Sequence, residues 1–190
     1  IVESGSVFAD GIKIVDGSIT IGDINGEINV KSNMLVYGLN SYTGSITTGD
    51  INGTITATAE TSRAIAVFSH DGSINTSAIN GAITAEAGYE AYGLCSVDNT
   101  ITTGPIRGTI SAHSDSDYAY GIISYGPMNI IIDGGTIRAI ADTGSNVAAV
   151  QSGLTYNDPF KAQNADDRVE IVAGSTIIGD IDLAMYGTDN

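Results

Sequence analysis

The chain has 190 residues, enough for one domain, with 42% hydrophobic residues, 24 glycines, three prolines and no tryptophan, a composition suited to β-structure with tight turns. Seven Lys and Arg against 22 Asp and Glu give a net charge of -15, which excludes nucleic acid as a partner and disfavours anionic membrane surfaces. Cys95 is the only cysteine, so an intrachain disulfide framework is excluded, and no apolar run is long enough for a transmembrane segment.

The chain begins at Ile1 without an initiator Met or a signal peptide, and it is expected to be a processed or excised segment. From Gly17 a repeat sets in. Gly17-Ser18-Ile19-Thr20-Ile21-Gly22-Asp23-Ile24-Asn25-Gly26-Glu27-Ile28 returns from Gly44 to Ile55, from Gly72 to Ile83 and, in decayed form, from Asn99 to Ile110, at alternating spacings of 27 and 28 residues. A fixed period of this size means stacked supersecondary units, none able to bury its apolar face alone.

Each unit holds three strand-like runs. The first begins at Ile19, Ile46, Ile74 and Ile101. The second alternates with a two-residue period, which places Ile28/Val30, Ile55/Ala57/Ala59, Ile83/Ala85/Ala87, Ile110/Ala112 and Ile137/Ala139/Ala141 inward. The third is Val36-Tyr37-Gly38-Leu39, then Ala64-Ile65-Ala66-Val67, Ala91-Tyr92-Gly93-Leu94 and Ala119-Tyr120-Gly121-Ile122, with a weaker copy at Val147-Ala148-Ala149-Val150. No run sustains a helical period, and Gly interrupts every candidate. The pattern predicts an all-β, right-handed parallel β-helix of about six coils with three short strands each, a core on the order of 30 Å long.

Two polar columns support the stacking. Asn25, Asn52 and Asn80 precede Gly at one turn and are expected to hydrogen-bond along the rod until Arg107 breaks the series. Ser41, Ser69, Ser96, Ser124 and Ser152 share the parity of inward residues, and their stacked hydroxyls are expected to satisfy one another. Five equivalent serines argue for structure against a nucleophile.

Units of this form resemble the degenerate repeats of bacterial autotransporter passenger domains. Thr48-Gly49-Asp50-Ile51-Asn52-Gly53-Thr54-Ile55-Thr56-Ala57 and Ala119-Tyr120-Gly121-Ile122 carry the likeness, over roughly residues 11 to 150. The resemblance implies a secreted or cell-surface β-helix whose role is a stalk or an adhesin, although such passengers also include proteases.

Residues 153–168 interrupt the repeat. Within them Tyr156, Asp158, Phe160, Lys161, Asp166, Asp167 and Arg168 are candidates for partner recognition, because long loops on rigid scaffolds carry binding. Asp23 and Asp50 share one turn in successive coils, and Asp71 and Asp98 share another. These four are candidate Ca²⁺ ligands, the only cofactor the sequence suggests, although no known calcium motif surrounds them. A further acidic group, Glu60, Glu90, Asp115, Asp117 and Asp142, is expected along one loop edge. Exposed Tyr89 and Tyr118 near it suit sugar stacking. Outward Thr20, Thr47 and Thr102 suggest a flat ice-binding face, which Asn29, Asn75 and Arg138 make irregular.

The sequence thus points to a structural or adhesive rod without catalysis. Its expected partners are glycans or proteins of a host or neighbouring cell, the rest of a longer rod, or further copies joined end to end, the last because Ala184-Met185-Tyr186-Gly187 echoes the third run. The alternative is a carbohydrate-binding or polysaccharide-degrading β-helix enzyme, for which Asp166-Asp167-Arg168 is the one compact acid-base group.

Overall fold

The computed structural model describes residues 1–3, 7–144, 146–152 and 167–183. Every regular element among them is a β-strand, and the strands pair in parallel. No helix there is long and apolar enough to cross a membrane. Sheet 1 stacks Ile19–Ile21, Ile46–Thr48, Ile74–Thr76, Ile101–Ile106, Met128–Ile132 and Arg168–Ile171. Sheet 2 stacks Val2–Glu3, Glu27–Ser32, Thr54–Ala59, Ala82–Ala87, Thr109–Ser114, Thr136–Ala141 and Thr176–Ile178. Sheet 3 stacks Phe8–Ile14, Leu35–Ser41, Arg63–Ser69, Glu90–Ser96, Tyr118–Ser124, Asn146–Ser152 and Asp180–Asp182. The chain visits the three sheets in turn, so each passage adds one coil to a parallel β-helix, the fold the repeat predicts.

Alternation fills the interior. In sheet 2, Ile55, Ile83, Ile110 and Ile137 stack in register and are fully buried, while the alternate Thr56, Thr84 and Ser111 are half-buried on the outside. Sheet 3 breaks the two-residue period at one place. Gly38 and Leu39 both face inward, as Ala66 and Val67 do one coil on, and a Cβ at Gly38 would lie 2.4 Å from Ala66 O and 2.8 Å from Ile55 Cγ2 of sheet 2. The extra inward residue leaves Tyr37 and Asn40 on the outside.

The corners are tied by side chains, each in its own way. Asn52 Nδ2 donates to Asn25 Oδ1 at 2.9 Å, and Asn80 Nδ2 to Asn52 Oδ1 at 2.8 Å. This ladder forms as expected, but on the exposed surface. The serines behave differently from expectation. Instead of bonding to one another, Ser69 Oγ donates to Gly44 O and Gly72 O at 3.0 and 2.7 Å, and Ser96 Oγ to Gly72 O and Asn99 O at 3.2 and 2.8 Å. Each buried hydroxyl therefore bridges the turn of its own coil to that of the coil before. Ser152 breaks the pattern and donates to the Asp167 carboxylate.

The period survives the interrupting segment. Asn129 pairs with Arg168, 39 residues on, and Thr136 pairs with Thr176.

Candidate functional site

The outward face of sheet 3 differs from the other two. Its register sets two columns side by side: Asp10, Tyr37, Ile65, Tyr92, Tyr120, Ala148, Asp180, and Lys13, Asn40, Phe68, Cys95, Ile123, Gln151, Asp182. Both are polar at the ends and apolar in the middle. Ile65, Cys95, Tyr120, Ile123 and Ala148 bury one another in a second cluster outside the barrel of the rod, with Tyr37, Phe68 and Tyr92 packed against it. Its five central members are no more than 7% exposed, so the ring surface this face presents comes from the half-buried Tyr37, Phe68 and Tyr92 around them, a contiguous apolar patch of the kind that marks a recognition face.

The rings form an ordered array. Tyr92 and Tyr120 stack at 5.6 Å with planes 2° apart, Arg63 lies 6.0 Å over Tyr92, and Tyr37 meets Phe68 at 5.2 Å. Phe68 meets His70 edge-on at 6.3 Å, and His70 stacks on Tyr42 at 4.6 Å. Arg63 is ion-paired with Glu90, which also accepts from the Tyr92 hydroxyl at 3.2 Å. Burial raises the Tyr37 and Tyr92 hydroxyls above the ordinary tyrosine range and pushes Tyr120 and Tyr125 up to about 12. Burial likewise holds the Cys95 thiol up at about 12, so near neutrality it is a packing group and not a thiolate.

At the first three coils this face opens into a groove of about 530 Å³, within the range of small-molecule sites. Phe8, Tyr37, Tyr42, Phe68 and His70 supply rings to it. Its polar group is built on one carboxylate: Asp10 Oδ1 accepts from Asn40 Nδ2 at 2.8 Å, and Oδ2 from Lys13 Nζ at 3.1 Å. Arg63 completes the lining.

Of the candidates read from sequence, Asp71 and Glu90 border this groove through His70 and Arg63, and the other described ones lie elsewhere. Asp23 Oδ1 accepts from Asp50 N at 2.9 Å and Asp50 Oδ1 from Ala78 N at 3.0 Å, so this pair caps the backbone of the next coil. The next position in that column is Pro105, which has no N–H to satisfy, and the series stops there. Asp71 and Asp98 do come together, with His70, their ligand atoms within 4.8 Å of one another. An imidazole in the set suits Ca²⁺ poorly, since that ion takes oxygen ligands. His113, Asp115 and Asp142 form a similar group, in which His113 Nε2 and Asp142 Oδ1 are 3.0 Å apart. Glu90, expected on a loop edge, starts a strand of sheet 3 instead. Tyr89 and Tyr118 meet edge-on at 6.0 Å.

Tyr156, Asp158, Phe160, Lys161 and Asp166 lie outside the described residues, as do Ala184 to Gly187. Asp167 is 2% exposed, and its carboxylate accepts from Met128 N at 2.9 Å and from Ser152 Oγ. It is committed to the fold and not offered to a partner or a substrate. Arg168 is exposed, opens a sheet 1 strand and pairs with Glu170. The sheet 3 face went unassigned in the sequence, although its signal is there: Tyr37, Ile65, Tyr92 and Tyr120 occupy the position between two inward residues of the third run.

No protein-family model matches the chain, and neither a curated protein nor a solved structure matches it.

Proposed function

We propose that the chain is an extracellular β-helix with a structural or adhesive role, displayed at or secreted from a cell surface as a stalk or adhesin segment, and without catalysis. The observation that carries this reading is the aromatic face of sheet 3, which continues from rung to rung on a scaffold held by main-chain ladders and corner side chains. Such a face suits lateral binding along a rod. The resemblance to autotransporter passenger repeats supports the extracellular setting, and the strongly acidic charge suits solubility there.

Beads coated with the chain test it. Retention on a panel of cell surfaces under flow, lost when Tyr37 and Tyr42 are replaced by Ser, is the expected result. Release of new reducing or unsaturated ends from polysaccharides would overturn the non-catalytic part. Beads that adhere no better than albumin-coated ones would overturn the adhesive part.

A further inference from the structure

The groove at the first three coils has the chemistry of a saccharide site, and we infer that it binds a neutral glycan chain. This deepens the adhesive reading and rests on it. Four rings, Tyr37, Phe68, His70 and Tyr42, follow one another at centroid distances of 5.2, 6.3 and 4.6 Å. Tyr42 is 49% exposed. Ring faces of this kind take the C–H faces of pyranose rings, which are apolar although the sugar as a whole is not.

The polar groups decide between ligand classes. Lys13 is paired with Asp10 and Arg63 with Glu90, and His70 lies against Asp71, so each fixed cation of the groove already has a carboxylate, in a chain of net charge -15. A polyanion gains no unpaired cation here and meets repulsion from the rest of the rod. A neutral polyol meets neither obstacle.

The paired groups also keep hydrogen-bonding capacity. Lys13 uses one of its three donors on Asp10, and Arg63 bonds Glu90 through Nε, leaving its terminal nitrogens for other acceptors. Asp10 has further lone pairs beyond the two bonds it accepts. Donors and acceptors therefore stand together beside the rings, which matches hydroxyl groups that each donate and accept. Asn40 is 5% exposed and fixes the Asp10 carboxylate in place, so this arrangement exists before the ligand arrives.

The test is titration calorimetry of the whole chain with cellohexaose, xylohexaose and mannohexaose. A galacturonate hexamer and a proline-rich decapeptide serve as the anionic and peptide arms. The expected result is saturable binding of at least one neutral hexasaccharide. Tyr42→Ala and Lys13→Ala should each weaken it roughly tenfold, about 1.4 kcal/mol, while Thr56→Ala, on the outer face of sheet 2, leaves it unchanged. Circular dichroism must show all three variants folded; Tyr42→Ser or Lys13→Gln replaces a groove variant that is not, and Thr84→Ala replaces the control. Binding of the galacturonate or the peptide alone would overturn the inference, as would no binding in any arm or binding indifferent to both groove variants. Coated beads that still adhere while every hexasaccharide fails would overturn only this inference and leave the adhesive function standing.

Discussion

Ser96 and Asn52 both belong to corner columns, yet their environments differ. Ser96 is fully buried and bridges two carbonyls, whereas Asn52 lies on the surface. Ser96→Ala should therefore cost about 1–3 kcal/mol, and Asn52→Ala and Thr56→Ala no more than about 1 kcal/mol each. Urea melts of the three variants check the order, and equal losses would refute it. Inside sheet 1, Thr76 and Thr103 occupy inward positions with buried hydroxyls that have no hydrogen-bond partner among the described residues. Replacing Thr76 by Val removes an unsatisfied group at nearly constant shape, so stability should hold or rise by about 1 kcal/mol. A loss above that would show that the hydroxyl has a partner. Alkaline pH tests the outer cluster. Burial raises Tyr120 and Tyr125 from 10.0 to about 12 and Cys95 from 9.0 to about 12, so the folded state favours their protonated forms. That contribution is whole below about pH 9, where the unfolded chain also keeps these protons, and it is lost as the pH climbs toward 12. Absorbance of tyrosinate should show part of the nine tyrosines ionising late, together with unfolding. A single transition near pH 10 for all of them would contradict the burial.

At the scale of the strand, each coil meets only its neighbours, so stability is close to a sum of coil and interface contributions. Thr54 pairs with Ala82, 28 residues on, and the turns before them are equivalent, with Gly53 N and Gly81 N donating to Ile24 O and Ile51 O. Deleting residues 54–81 should therefore join matching ends and yield a shorter β-helix with the same circular dichroism per residue and a lower melting temperature. Loss of all β signal would show that the coils are not interchangeable. The same equivalence explains why the fold was legible: Ile at one strand start and Ile-x-Ala-x-Ala in the next recur until only one stacking is possible. The face of sheet 3 was harder to read. Gly38 and Ala66 each add an inward residue that only packing against sheet 2 reveals, and without it the parity of Asn40 and Phe68 is ambiguous. The burial of Asp167 is not legible in the sequence, because it depends on Met128 and Ser152, groups brought to it by coils that close before it in the chain.

For the molecule as a whole, the excess of 22 acids over seven bases sets a self-repulsion that no local pair removes. Ion pairs such as Lys31–Glu60 and Arg107–Asp133 sit on the surface, at 3.1 and 2.9 Å, where each contributes little. Salt should thus stabilise the rod. Raising NaCl from about 0.01 to about 1 M shortens the screening length from roughly 30 to roughly 3 Å and should raise the melting temperature by several degrees. A fall would mean that the surface pairs outweigh the net repulsion.

The asparagine corner has a direction. Asn52 and Asn80 each point the amide nitrogen toward the earlier coil, at the oxygens of Asn25 and Asn52, so the side-chain dipoles align head to tail as peptide units do in a helix. The next residue in that column is Arg107, whose guanidinium reaches forward to Asp133 of the following coil. What reads in the sequence as decay of the repeat is the place where the corner passes from aligned amide dipoles to an ion pair.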